Sequence, residues 1–152
     1  MLCRPYTLCY RAFMAARGHL SIRPWESTLE RLRIRARLAG EQRTTLAERY
    51  LREGLLMDEF PGIHFVDGAM GRRPAIAGMA LDVWEIIKVV QDNDGSVEEA
   101  AAYLEIEPWV VRLATEYYGS NREEVDNWIA RVHEFNEREH AKWLAAQEAI
   151  AA

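Results

Sequence analysis

Gly71–Trp128 reads GRRPAIAGMALDVWEIIKVVQDNDGSVEEAAAYLEIEPWVVRLATEYYGSNREEVDNW, and this stretch decides the fold. Leu81, Val83, Trp84, Ile86, Ile87 and Val90 recur at helical spacing until Asp92-Asn93-Asp94-Gly95 breaks the chain. Ser96 opens the next helix with Glu99 three residues on, the spacing at which a hydroxyl and a carboxylate cap each other's backbone N–H groups. That helix, Val97–Leu104, stops at Glu105-Ile106-Glu107, and Pro108 suits the first turn of a third helix. Trp109, Val110, Leu113, Ala114, Tyr117 and Tyr118 give the third helix its expected buried stripe. Three helices with two tight joints predict a helix-turn-helix-like trihelical unit.

Outward from there, Ser120-Asn121 is expected to cap a last helix, with Glu124 three residues after Asn121. The helix should run from Arg122 to near Ile150, roughly 28 residues or about 42 Å at 1.5 Å per residue. Its stripe is Val125, Trp128, Ile129, Val132 and Phe135, with Glu139 on the same line. Past Asn136 the stripe thins to Trp143, Leu144 and Ile150. That leaves either an exposed partner site or a tail that frays or packs back on residues 81–90. On the N-terminal side, Ile63–Val66 is a strand candidate, 67–71 a turn, and Arg72–Ala77 its hairpin partner. The loop looks longer than the tightest hairpins allow.

Residues 19–57 carry a different pattern. His19-Leu20-Ser21-Ile22-Arg23 alternates with period 2 until Pro24. A helical run follows from Trp25 to Ala39, with Leu29, Leu32, Ala36 and Ala39 on one face and Gly40 closing it. Thr44 or Thr45 is placed to cap a second helix that buries Leu46, Ala47, Tyr50, Leu51 and Leu55. The order is strand, helix, helix, with a plain αα-hairpin as the alternative. Residues 1–18 hold three Arg and no acid, and read as a disordered arm or a start assigned too far upstream. A targeting peptide is the weaker alternative.

Composition bounds the rest. With 49% apolar and 28% charged residues the chain is globular, and no apolar run reaches the ~20 residues that span a bilayer, so a soluble, cytoplasmic protein without membrane contact is expected. The two cysteines, Cys3 and Cys9, make neither a disulfide framework nor a zinc site. Charge divides along the chain: residues 1–57 hold 11 Arg and 5 Glu, a net +6, whereas residues 58–152 net −11. Such asymmetry suggests that the first part meets a polyanion, with drift in surface charge as the bland alternative. His133, Glu137 and His140 share one face of the last helix, but nothing else supplies a third or fourth ligand, so no metal is expected. No glycine loop for phosphate, activated nucleophile or paired carboxylate is legible, so neither an enzyme nor a cofactor is expected.

Two resemblances add to this reading. R-P-x-I-x-G, then V-W-E-I-I, G-S-x-E-E-A-A-x-Y, a helix ending Y-Y, and N-x-x-E-V-D-x-W-I resemble an antitoxin-type helix-turn-helix family often encoded beside PIN-like ribonuclease toxins. H-L-S-I-R-P and Q-R-T-T-L-A-E-R-Y-L resemble the ribbon-helix-helix DNA-binding fold, in which two chains pair their strands into a ribbon for the major groove. That resemblance implies base contacts from His19, Ser21 and Arg23, dimer packing by Leu20 and Ile22, and a phosphate clamp at Thr44 beside Arg43. The helix after Pro108 is a poor DNA reader, offering Arg112 alone among Glu105, Glu107 and Glu116.

The expectation is a mainly α protein. It comprises a ribbon-helix-helix-like dimerisation module (19–57), a connecting β-hairpin (58–80), and a helix-turn-helix-like unit with a long terminal helix (81–152). Taken together, the resemblances imply a VapB-type antitoxin that neutralises a PIN-like ribonuclease and, as a homodimer, represses its own operator DNA. A stand-alone dimeric regulator is the alternative. Arg72, Arg73, Trp143 and Leu144 are the candidate partner contacts.

Overall fold

The computed structural model describes residues 18–151, so the reading of residues 1–17 lies outside it. Among the described residues the elements are α1 (Glu26–Ala39), α2 (Arg43–Glu59), β1 (Ile63–Gly68), β2 (Gly71–Ile76), α3 (Val83–Asp92), α4 (Val97–Leu104), α5 (Pro108–Ser120) and α6 (Arg122–Ala151). The protein is mainly helical with one two-stranded antiparallel hairpin. It divides into two units, residues 1–54 and 55–152, at a boundary inside α2.

In the first unit, α1 ends where Gly40 adopts φ 66°, its N–H bonding Ala36 and Arg37 carbonyls as a left-handed cap does. The helix is also laced on its surface by Arg33, which reaches Glu26 at 3.3 Å and Glu30 at 3.1 Å. α2 starts one residue before the expected threonine cap. Leu46 N–H bonds the Gln42 carbonyl at 3.0 Å, which puts Thr44 and Thr45 inside the first turn. Of the expected apolar faces only Ala36 and Leu46 are buried; Tyr50, Leu51 and Leu55 are 45%, 46% and 61% exposed.

The second unit is built around one cluster that takes Phe60 from the end of α2, Ile63, Phe65 and Ile76 from the hairpin, and residues from all four following helices. The hairpin is therefore more than a connection, since its inward side chains complete the core. Its register pairs Ile63 with Ile76 and Gly68 with Gly71, leaving a two-residue loop at Ala69-Met70. The tightest hairpin forms after all, because Gly71 accepts φ 118°. In α4 the Ser96 hydroxyl accepts from Glu99 N–H at 3.2 Å as expected. The reciprocal bond is replaced by Ser96 N–H to the Asn93 carbonyl at 2.8 Å. Pro108 occupies the first turn of α5.

Two expectations about α5 and α6 are corrected. α5 buries Val110, Val111, Ala114 and Tyr117, while Trp109 is 53% exposed. The buried stripe is thus rotated by part of a turn, since Val111 rather than Trp109 faces the cluster. Asn121 does not cap α6 with its side chain. Its amide donates back to the Tyr117 carbonyl at 3.1 Å and closes α5. α6 spans 30 residues, about 45 Å. Only Val125 and Trp128 of α6 are buried, and every residue from His140 to Ile150 is exposed, so the tail does not pack back.

Candidate functional site

The residues expected to form the ribbon, His19 to Arg23, are all exposed, and no hydrogen-bonded strand forms over them in the single chain. Leu20 is 68% exposed and Ile22 57%. Beside this segment α1 and α2 leave an apolar groove of about 340 Å³ lined by Ile22, Pro24, Leu32, Ala47, Tyr50 and Leu51. Arg31 and Arg35, one turn apart on α1, also line it, and among the described residues neither has a carboxylate partner. Among the described residues of this unit, Ala36 and Leu46 are the buried apolar side chains.

Arg43 and Thr44 occupy the first two positions of α2, both exposed. Their backbone N–H groups belong to the set that a helix start leaves unbonded, which suits an anion. Deeper in α2, Arg49 ties that helix to the interhelical loop by bonding Glu41 at 2.9 Å, and it lies 3.9 Å from the buried Glu53. Sequence reading missed that link because Glu53 looks like any surface glutamate.

The four partner candidates separate into two kinds. Arg73 is engaged within its own unit. It bonds the carboxylate of Asp82, which is only 8% exposed and also accepts from the Trp84 indole at 3.1 Å. Asp82 sits at the N-cap of α3, where its N–H donates to Glu85 at 2.8 Å in a capping box. Arg72 bonds the exposed Asp67 at 3.1 Å across the hairpin. Trp143 and Leu144, by contrast, stand 56% and 46% exposed on the projecting part of α6.

On the same helix His133 pairs with Glu137 at 3.4 Å, and His140 stacks on Trp143 with ring centroids 5.7 Å apart. Lys142 bonds Glu139 at 2.7 Å and holds that carboxyl below its ordinary value. No group of three metal-ligating side chains gathers among the described residues. Where α5 meets α6, Tyr118 donates to Asp126 at 2.9 Å. Burial, then that carboxylate, pushes the phenol above its ordinary range. Arg112 is exposed on α5.

No helix among the described residues is long and apolar enough to cross a membrane. No family model, curated protein or solved structure matches the chain.

Proposed function

We propose that this chain is a VapB-type antitoxin that dimerises through its N-terminal unit, binds its own operator DNA with the paired 19–23 segments, and holds a PIN-like ribonuclease toxin with its C-terminal unit. The observation that carries the reading is the unfinished N-terminal unit. An Arg-rich helix pair has Ala36 and Leu46 as its buried apolar side chains and leaves Leu20, Ile22, Tyr50 and Leu51 open beside a segment without strand pairing. A second copy supplies both the missing strand and the missing apolar cover. In such a ribbon His19, Ser21 and Arg23 share one face, because side chains alternate with period 2. Arg23 suits the O6 and N7 acceptors of guanine, while Thr44 and Arg43 at the start of α2 suit phosphate. The projecting Trp143 and Leu144 supply apolar anchors for the toxin.

The test is light scattering together with fluorescence anisotropy on DNA from upstream of the chain's own reading frame. The expected result is a dimer that binds this DNA, loses both properties as Leu20→Asp, and keeps its affinity as Arg112→Ala. A monomer with full DNA affinity, or a larger loss from Arg112→Ala than from Arg23→Ala, would overturn the assignment. Co-expression with a neighbouring PIN-like frame decides the toxin half: a stable complex supports it, and no complex reduces the protein to a regulator.

A further inference from the structure

α2 is anchored near both ends and thinly held between them. Toward its start Leu46 is fully buried, Arg49 bonds Glu41 at 2.9 Å, and Glu53 is only 3% exposed. Just past its far end the Phe60 N–H bonds the Leu56 carbonyl at 2.8 Å, and the Phe60 ring meets Tyr117 edge-on with centroids 5.2 Å apart. From Gly54 to Glu59 no residue is buried, and Leu55 is 61% exposed. Within this stretch Leu56 alone packs against the core cluster. The boundary between the two units falls here, after Gly54.

Among the described residues Gly54 is the one glycine inside a helix, apart from Gly119 in the last turn of α5. Neither packing nor backbone geometry requires it. A Cβ there would have nothing within 4 Å, and its φ is not positive. What glycine does supply is freedom. It gives up more backbone conformations than alanine in a helix interior, which disfavours the turn it occupies by about fivefold. Local opening concentrates where few buried contacts hold a segment and its backbone bonds lie near solvent. Gly54 and the exposed turn after it meet both conditions.

We infer that Gly54 is a hinge, at which one turn of α2 opens while Leu46, Glu53 and Phe60 keep their packing. Opening there uncouples the two anchored ends of the helix, so a ligand that orders one end does not have to order the other. The inference goes beyond the antitoxin reading and does not depend on what either unit binds.

The test is native-state hydrogen exchange on the full chain, read residue by residue. The amides of residues 54–58, whose helical bonds span Gly54, should be protected at least about tenfold less than those of residues 47–53. Gly54→Ala should raise protection at 54–58 by about fivefold, the helix preference of alanine over glycine. It should change residues 47–53 and α3 by less than about twofold, and circular dichroism checks that the variant keeps its helix content. Equal gains across α1 and α2 would mean that the substitution stabilises the whole unit, and would overturn the hinge. So would amides at 54–58 that are as protected as those at 47–53, or that Gly54→Ala leaves unmoved.

Discussion

Asp82→Ala should be among the most destabilising polar substitutions in the second unit. Asp82 is 8% exposed, starts α3, and accepts from both Arg73 and the Trp84 indole at one oxygen. Losing an N-cap costs about 1 kcal/mol. Leaving the half-buried Trp84 N–H without its acceptor costs about 1 kcal/mol more, and losing the charge-assisted bond from Arg73 about another 1 kcal/mol. The Arg73 share sits at the low end because a quarter of its side chain is exposed and can rehydrate. The total is about 3 kcal/mol, and at roughly 4–8 °C per kcal/mol for a unit of this size the melting temperature should fall by about 12–24 °C. Asp82→Asn separates the contributions. Asparagine caps as well as aspartate, so its loss of about 1–2 kcal/mol reports the Arg73 pair. Asp67→Ala is the control, since the Asp67 side chain is 79% exposed and its pair with Arg72 should contribute less than about 0.5 kcal/mol. The assay is urea unfolding followed by circular dichroism on the full chain. If Asp82→Ala and Asp67→Ala cost the same within about 0.5 kcal/mol, the carboxylate does not organise this corner. Arg73 would then be free to meet a partner.

Three further outcomes follow from backbone geometry and one buried phenol. Gly62→Ala should cost about 2 kcal/mol or more in the same urea assay, because a Cβ there meets Leu113 Cδ2 at 2.8 Å and the residue sits at φ 106°. Glu105→Gly should raise stability by about 0.5–1 kcal/mol, since glycine relieves the cost of φ 55° but gives back part of it as chain entropy. Tyr118 has its folded pKa raised, so stability due to the neutral phenol is fully present below pH ~10 and is lost as pH rises through the folded value. An alkaline titration of phenolate absorbance should lose its late component in Tyr118→Phe, and a component that persists would assign it to another tyrosine.

Local chemistry made much of the second unit legible. Ser96 with Glu99, Pro108, and the breaker Asp92–Gly95 act on their own neighbours, so the joints of α3, α4 and α5 stand where the sequence puts them. Gly40 closed α1 for the same reason. The hairpin was visible from alternation and turn residues, but its two-residue loop was not, because the ladder runs on through Asp67–Arg72 and Gly68–Gly71, residues that read as turn formers. The candidate partner residues were only half legible: Trp143 and Leu144 stand exposed as their thinning stripe indicates, whereas Arg73 gives no sign in the sequence that Asp82 holds it.

What the sequence by itself determined is the set of helices and most of their joints to within a residue or two, since these follow from spacing, caps and breakers close by in the chain. Tertiary structure decided which side of each helix is inside. Trp109 and Val111 both fit an apolar stripe on α5, and only the packing of α5 against α3, α4 and α6 selects Val111. Asn121 could cap forward or backward, and its side-chain amide joins its own backbone N–H on the Tyr117 carbonyl. Tertiary structure likewise exposed the open face of α1 and α2. Periodicity marks Leu46, Tyr50 and Leu51 alike as apolar, but only packing shows that one is covered and two stand exposed. Burial is a relation between segments far apart in the chain, and a pattern read along one segment carries no information about what stands opposite it.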